Sequence, residues 1–547
     1  MRTRTRLVAL GAIAALAATG CSGSDGGGGD STASGDVTLV ETTDAGTEPV
    51  DHVTWGLPNG EPTTLDPAKA GAESESSVVA NLCEGLLQLQ PDFSLAPGLA
   101  TSADWTDDTT FVIDLDPDAT FWNGNPVTPA DVLYTFQRHL DPATQSVYGP
   151  AFMAMKDMKQ TGPNQVTLTF ETPDAQFRNT LAGGTGMIVE AAYAKKAGAA
   201  FGTPDGGLMC TGPFQLESWE AGESVTLRAY DGYRGGAPLV SELEFRFVAD
   251  SSTLTSALMS GDIDGAYQPP VQSSQTLSDS GVGTLYVGPS TASASFGPAS
   301  ETGPAADPRV RQALDLAIDK NLYVKNVLRG LGEPLKTFTP PLVWEGDPAA
   351  DTYRAGYDAL PDNSEPDLDA AKKLIADAGA DGASLVFAIA AGDQQSLQTV
   401  QFVQAAGEEL GLDIAIEQLQ PTEFSSFFYD PSKREGIDFV ATTGYVEVPG
   451  ALYYSPMFVL PGGLFNWSGY SDPQVSKLMG EASATTDPEV TAQKFVEAQA
   501  IFNEAKLQVS LGQSYSRLFL REGLTGAPAS FAYISTPWAA QLGGTSS

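Results

Sequence analysis

Residues 367–419 read DLDAAKKLIADAGADGASLVFAIAAGDQQSLQTVQFVQAAGEELGLDIAIEQL, and the fold class turns on them. DLDAAKKLIADAG (367–379) is a helix pattern that stops at Gly379, and SLVFAIA (384–390) is a strand. TVQFVQAAGEELGL (399–412) is again a helix and DIAIEQL (413–419) a strand. Strands alternating with helices of this length imply parallel pairing and an α/β lobe.

Just upstream, DPRVRQALDLAIDKNLYVKNVLRG (307–330) spaces Val310, Ala313, Leu314, Ala317 and Ile318 along one helical face. Asp307 is its expected N-cap, Pro308 its first residue and Gly330 its stop. Further back, HVTWGL (52–57) reads as a first strand and SSVVANLCEGLLQL (76–89) as a helix carrying Cys83 in its C-terminal half. FVIDLD (111–116) and VTLTFET (166–172) alternate as half-exposed strands do. Between them TPADVLYTFQRHLD (128–141) is an amphipathic surface helix, with Thr128 as N-cap and Pro129 at its first position. Residues 202–233 predict a turn, a strand holding Cys210 and a hairpin, and LVSELEFRFVAD (239–250) another strand. SSTLTSALMSGDIDGAY (251–267) predicts a short helix ending near Gly261 and then a strand.

The chain opens MRTRTRLVALGAIAALAATG, with three arginines ahead of an apolar run from Leu7 to Ala18 and small residues before Cys21. That is a secretory signal over 1–20, because the run is well short of the ~20 residues a membrane-spanning helix needs. Cleavage before a cysteine is the pattern of lipoproteins, so Cys21 is the expected site of lipidation; the alternative is an ordinary secretory signal with Cys21 incidental. Residues 21–50 are rich in Gly, Ser, Thr and acidic residues, and they predict a flexible tether with a reach of roughly 30 Å. The remaining ~500 residues exceed what one core usually supports, so at least two lobes are expected.

The formal charge of −39, from 29 basic and 68 acidic residues, becomes −42 once the three leader arginines are removed. Such a surface argues against nucleic acid as a partner. With Cys21 assigned to lipid, Cys83 and Cys210 are left as a pair that in an oxidising compartment predicts a disulfide rather than two free thiols. In the chain-entropy picture the closed loop contributes on the order of 4 kcal/mol. Only His52 and His139 are available to a His-based metal site or a Ser-His-Asp system. There is no G-x-S-x-G elbow, no phosphate loop, no H-E-x-x-H and no Cys cluster. Neither an enzyme nor a cofactor or metal is expected.

Eight segments in order resemble the family 5 extracellular solute-binding proteins of ABC importers, the dipeptide and oligopeptide receptors. They are EPTTLDPA (61–68), NLCEGLLQLQPD (81–92), LAPGLATSADW (95–105), TFWNGNPVTPADVLYTFQR (120–138), CTGPFQLESW (210–219), SGDIDGAY (260–267), DPRVRQALDLAIDKNLYVKNVL (307–328) and FNWSGYSDPQVSKLM (465–479). The chain departs from the family in having Trp122-Asn123-Gly124 where a His-Asp-Gly turn is common, and in placing Cys83 and Cys210 beside two of its motifs. Two unusual cysteines arising together favour the disulfide.

The resemblance implies an α/β, type II periplasmic-binding-protein-like fold of two lobes closing over a solute. Lobe I is then 51–290 plus 512–547, with 83–205 as an extra subdomain, and lobe II is 291–511. Peptide-binding members pair peptide with the main chain after the LDP motif, here Gly71, Ala72 and Glu73. The strand after the GDID turn adds Tyr267 and Gln268, and the hinge crossing near Ser295 and Phe296 adds more. The family's lobe II loop carries a Trp and an Asp that holds the peptide's α-ammonium. Here Tyr445 and Glu447 stand in that region, in a shorter loop, and Trp467 follows in FNWSGYSDP. Against those roles stand a solvated loop carboxylate for Glu447 and lobe packing for Trp467. The implied protein is a monomer in the cell envelope, held to the membrane by lipid at Cys21, which hands a short peptide to a permease with cytoplasmic ATPases. The competing readings are a same-family receptor for a sugar, an opine-like compound or a metal chelate, and a secreted hydrolase or sensory module.

Overall fold

The computed structural model describes residues 37–546. The predicted signal peptide and Cys21 lie outside these residues, as does the first part of the predicted tether.

Two large sheets organise the chain. The first runs in the order Gly283–Gly288, Ser516–Arg521, Gly265–Tyr267, Val50–Leu57 (β1), Val240–Phe247, Ser224–Ala229, Phe214–Glu220. β1 is parallel to both its neighbours, and the other pairings are antiparallel. The second sheet runs Gly332–Pro334, Val509–Ser514, Ser293–Pro298, Phe439–Gly444, Ser384–Ala390, Asp413–Leu419. Within it Ser384–Ala390 lies parallel to Asp413–Leu419, with the helix Gln394–Glu409 between them, as the sequence predicts. A third, antiparallel sheet of four strands is built from residues 100–170. The chain passes from the first large sheet to the second between Gly288 and Ser293, and returns between Ser514 and Ser516.

Each large sheet has its own core. In the first, the C-terminal segment delivers Tyr533 and Trp538 onto Tyr267 and Trp55; Tyr267 and Tyr533 stack with centroids 3.6 Å apart, and Trp55 and Trp538 lie at 4.3 Å. In the second, Phe296, Phe387 and Phe439 pack at 4.7–5.4 Å. Asp315 is buried between the ammonium groups of Lys320 at 2.7 Å and Lys506 at 2.9 Å, with Asn363 donating to its second oxygen. Such a charge is tolerable inside only because it is paired on both sides.

Several expectations need correction. The helix predicted for 76–89 is Glu73–Leu82 (α1), after which Cys83 is extended and Leu87–Leu89 is a strand. The turn is forced at Gly85, where a Cβ would sit 2.6 Å from the Leu87 carbonyl oxygen and 3.0 Å from that of Leu181. The long helix 307–330 is two helices, Pro308–Ala317 and Lys320–Asn326: Ile318 is extended, and the Asp319 carboxylate accepts from Leu322 N to cap the second. His139 is on the buried face of its helix, only 4% exposed, stacked on Phe152 with Nδ1 2.6 Å from Ser146 Oγ. Cys210 lies in irregular chain just before the strand Phe214–Glu220 and is bonded to Cys83.

Part of the predicted tether also belongs to the fold. Val40 N donates to Val287 O on the strand Gly283–Gly288, while Thr43 N donates to Ala527 O, Gly46 N to Gln541 O and Thr47 N to Gly544 O, so residues 40–49 join the first sheet's edge and then run beside the C-terminal segment. Their few apolar side chains hid this, because the contacts are made by main-chain groups that any composition supplies.

Candidate functional site

The site begins at the loop before α1. Glu75 turns back to accept from Ala72 N at 3.0 Å, Thr63 N at 3.0 Å and Thr63 Oγ1 at 2.8 Å, fixing the head of the helix to the chain preceding it. Asp66 of the LDP motif is 1% exposed and takes a bidentate pair from Arg138, so this motif carboxylate is spent on structure. With the loop held at both ends, the Gly71 carbonyl is presented outward, and Tyr445 Oη donates to it at 3.1 Å. Tyr445 stands one residue beyond the strand Phe439–Gly444 of the second sheet, and its ring packs on Phe531 at 5.2 Å.

Two residues on, Glu447 occupies a nest of neutral donors. Its Oε1 receives Gly184 N at 3.1 Å, Tyr148 Oη at 3.2 Å and Ser535 Oγ at 3.5 Å; its Oε2 receives Tyr453 Oη at 3.1 Å. Tyr148 Oη also lies 2.8 Å from the Ala70 carbonyl, and its single proton serves one acceptor at a time. Burial raises the Glu447 pKa against the pull of these donors, and burial together with the facing carboxylate carries the Tyr148 and Tyr453 phenols well above their ordinary range. Close approach of the 183–186 loop depends on glycine. A Cβ at Gly184 would meet the Tyr148 ring at 2.4 Å, and one at Gly183 would meet Glu447 Oε1 at 2.7 Å.

Glu73 is the second carboxylate here. Tyr533 Oη donates to its Oε1 and Asn59 Nδ2 to its Oε2, and burial raises its pKa. Arg517 lies close enough to pull that pKa down, while its own guanidinium is held at about 10 by burial. The Arg517 fork is already engaged by the Pro269 carbonyl, Ser514 Oγ and the Tyr515 carbonyl. Tyr533 stacks on Tyr267, whose hydroxyl donates to Pro528 O, and Gln268 N donates to Arg517 O.

The structure therefore gathers Gly71, Ala72, Glu73, Tyr445 and Glu447, and links Tyr267 and Gln268 to them through Tyr533. It does not bring in the remaining three. Ser295 Oγ donates to Gln508 Oε1, and the Phe296 ring lies inside the second core, 0% exposed. Trp467 sits in an aromatic cluster with Phe427, Phe428 and Phe465, capped by the Arg434 guanidinium at 4.5 Å. Sequence reasoning missed Tyr148, Gly184, Tyr453, Tyr533 and Ser535, which are spread over nearly four hundred residues. The small-residue run Gly183-Gly184-Thr185-Gly186 was the one visible signal, since glycine clusters mark close backbone approach.

Among the described residues no helix is long and apolar enough to cross a membrane. The sequence profile of the bacterial extracellular solute-binding proteins, family 5, matches residues 94–466. The glutathione-binding protein GsiB of Escherichia coli K12 is 25% identical over 447 residues, covering 80% of this chain and 84% of that protein. Two solved structures superpose with TM-scores of 0.77 over 91% of the chain. One is the binding protein AgaA of A. tumefaciens R10 in complex with agropinic acid, 23% identical and covered to 99%. The other is the oligopeptide-binding protein AppA of Bacillus subtilis with a nonapeptide, 17% identical and covered in full. Fold and profile agree with the two-sheet α/β architecture, and the chain belongs to the family 5 extracellular solute-binding proteins of ABC importers.

Proposed function

We propose that the chain is a lipid-anchored receptor that captures short peptides between two lobes and delivers them to its permease. Lobe I is 51–290 plus 512–547 and lobe II is 291–511, hinged where the chain crosses between the two large sheets. The observation that carries the peptide reading is Glu447: a carboxylate withdrawn from water, with only neutral donors around it, at the meeting of segments 148, 184, 453 and 535. A positive charge brought there gains a strong charge-assisted bond, and a peptide's α-ammonium is such a charge. The Gly71 carbonyl, held by Tyr445, offers a main-chain acceptor for an extended ligand. An ammonium reaching Glu447 would share its oxygens with the Tyr148 hydroxyl and the Gly184 N–H. Lipid at Cys21 and a tether shortened to residues 21–39 keep the domain beside the membrane.

Calorimetry with di- to pentapeptides, free and N-acetylated, tests this. Free peptides should bind, and acetylation should weaken binding by at least about tenfold, as should Glu447→Gln, since a hydrogen bond to a charged group is worth roughly 1.5–3 kcal/mol. Equal affinities for the free and blocked peptides would sink the assignment. AgaA, named for its agropinic acid complex, is as similar in fold as the peptide receptors, which favours an opine-like solute as the second reading.

A further inference from the structure

Two stretches of chain that leave different sheets grip one another. The strand Gln165–Phe170 of the third sheet leads into residues 174–186, and Phe439–Gly444 of the second sheet leads into 445–450. Where they meet, Pro449 offers its carbonyl, the one hydrogen-bonding group a proline has. That oxygen accepts from Gln176 Nε2 at 2.8 Å and from Asn179 Nδ2 at 3.0 Å, which uses both of its lone pairs. Close by, Gly184 N donates to Glu447, and Ala175 N donates to Ser483 O at the end of the helix Pro473–Ser483. Val448, between Glu447 and Pro449, is 1% exposed and belongs to the apolar cluster that also holds Phe111, Phe152 and Phe177.

Both sides are held firmly behind this contact. The Asp174 carboxylate accepts from Gln176 N and Phe177 N and fixes the entry to the short helix Phe177–Thr180, whose Phe177 ring packs edge-on against Phe111 at 5.2 Å. Gln176 and Asn179, three residues apart, fall on one side of this turn. Opposite them, Thr291 Oγ1, in the first crossing between the large sheets, donates to Val446 O at 2.7 Å, and Gly450 N donates to Val343 O at 2.7 Å. Gly450 has a φ of +134°, and a Cβ there would land on the Gln176 carboxamide, so glycine is what lets the two stretches come this close. The loop is therefore anchored at its base beside the crossing and gripped at its tip by the segment from the third sheet.

We propose that residues 174–184 form a clasp that holds the two lobes together by gripping the loop 445–450, with the Gln176 and Asn179 amides on the Pro449 carbonyl as its latch. The inference rests on the two-lobe part of the receptor reading and not on the nature of the solute. Separating the lobes requires these bonds to break and Val448 to leave its apolar surroundings. The clasp thus sets the balance between open and closed forms, and with it how long a solute is retained.

The test is a distance distribution by pulsed electron paramagnetic resonance on the full chain. Spin labels are carried by p-acetylphenylalanine in place of exposed Lys159 in the third sheet and exposed Glu417 in the second, which leaves every cysteine untouched. Against this labelled parent, Gln176→Ala with Asn179→Ala should raise the long-distance population at least about threefold, the worth of two amide hydrogen bonds. Gln176→Glu with Asn179→Asp keeps the shape and removes the donors, so it should open likewise at about pH 7.5. At about pH 4.5 its carboxyl groups regain a proton to donate, and the short distance should return relative to the parent at the same pH. A parent that shows both distances in a ratio neither pair of substitutions changes, or an acidic pair that does not close again, overturns the clasp and leaves the two lobes standing. One distance common to the parent and every variant overturns the clasp and the two-lobe reading together.

Discussion

Glu447 and Glu73 show how burial sets the chemistry of single residues at this candidate site. Both titrate above the ordinary carboxylate range because losing water opposes their charge. In the unfolded chain they titrate near 4.3, so between that value and the raised one the folded protein holds protons the unfolded chain has released. Their contribution to stability therefore grows as pH falls from neutrality through the raised pKa values and levels off near 4.3. Chemical denaturation of wild type and Glu447→Gln across pH 7 to 4.5 should show a smaller acid gain in the variant; parallel profiles would contradict the buried nest. His139 acts in the opposite direction. Burial, aided by the nearby Arg138 charge, holds its pKa down to about 3, so the unfolded chain takes up a proton below about 6.5 that the folded one refuses. The penalty grows by about 1.4 kcal/mol per pH unit below that point, and His139→Phe should flatten this acid limb in the same measurement. Gly184→Ala is expected to lose both the Glu447 contact and folding stability, because the added carbon lands on the Tyr148 ring.

At the scale of elements, a buried polar cluster ties helices together. Asp315 on the helix Pro308–Ala317 ties Lys320 of the next helix to Lys506 near the return to the first sheet. Asp315→Asn leaves two buried ammonium groups facing a neutral amide and should cost about 3–5 kcal/mol by urea denaturation. Replacing the Lys–Asp–Lys set together with apolar residues should recover much of that loss, since desolvation offsets most of what a buried ion pair gains. The break that creates Lys320–Asn326 has a simple local cause. Asp319 competes for backbone N–H groups and caps a new helix, and the apolar spacing that suggested one continuous helix continues across the break because both helices pack on the same core.

Over the whole molecule, the Cys83–Cys210 bond closes a loop spanning a sequence separation of 127 and fastens the end of α1 to the chain entering the hairpin at 214–229. Replacing both cysteines with serine should lower stability by roughly 2–4 kcal/mol while leaving solute affinity unchanged, because the bonded sulfurs are not among the groups gathered around Glu447 and the Gly71 carbonyl. The sequence by itself determined the α/β class and the parallel pairing around residues 384–419, because period-2 and period-3.6 patterns are local and each element carries its own caps. It also carried the family, through motifs whose order survives at 25% identity to a curated relative. Gly71, Tyr445 and Glu447 were singled out only through that resemblance, since composition gives no reason to select one glutamate among 68 acidic residues. Tertiary structure alone decided that Asp66 is spent on Arg138, that residues 40–49 join the fold, that Phe296 lies inside the second core and that Trp467 packs among Phe427, Phe428 and Phe465. It alone assembled the nest of Tyr148, Gly184, Tyr453 and Ser535 around Glu447. The physical reason is the same in each case: hydrogen bonds and ring contacts between residues hundreds of positions apart depend on where folding places them, and no local period records that placement.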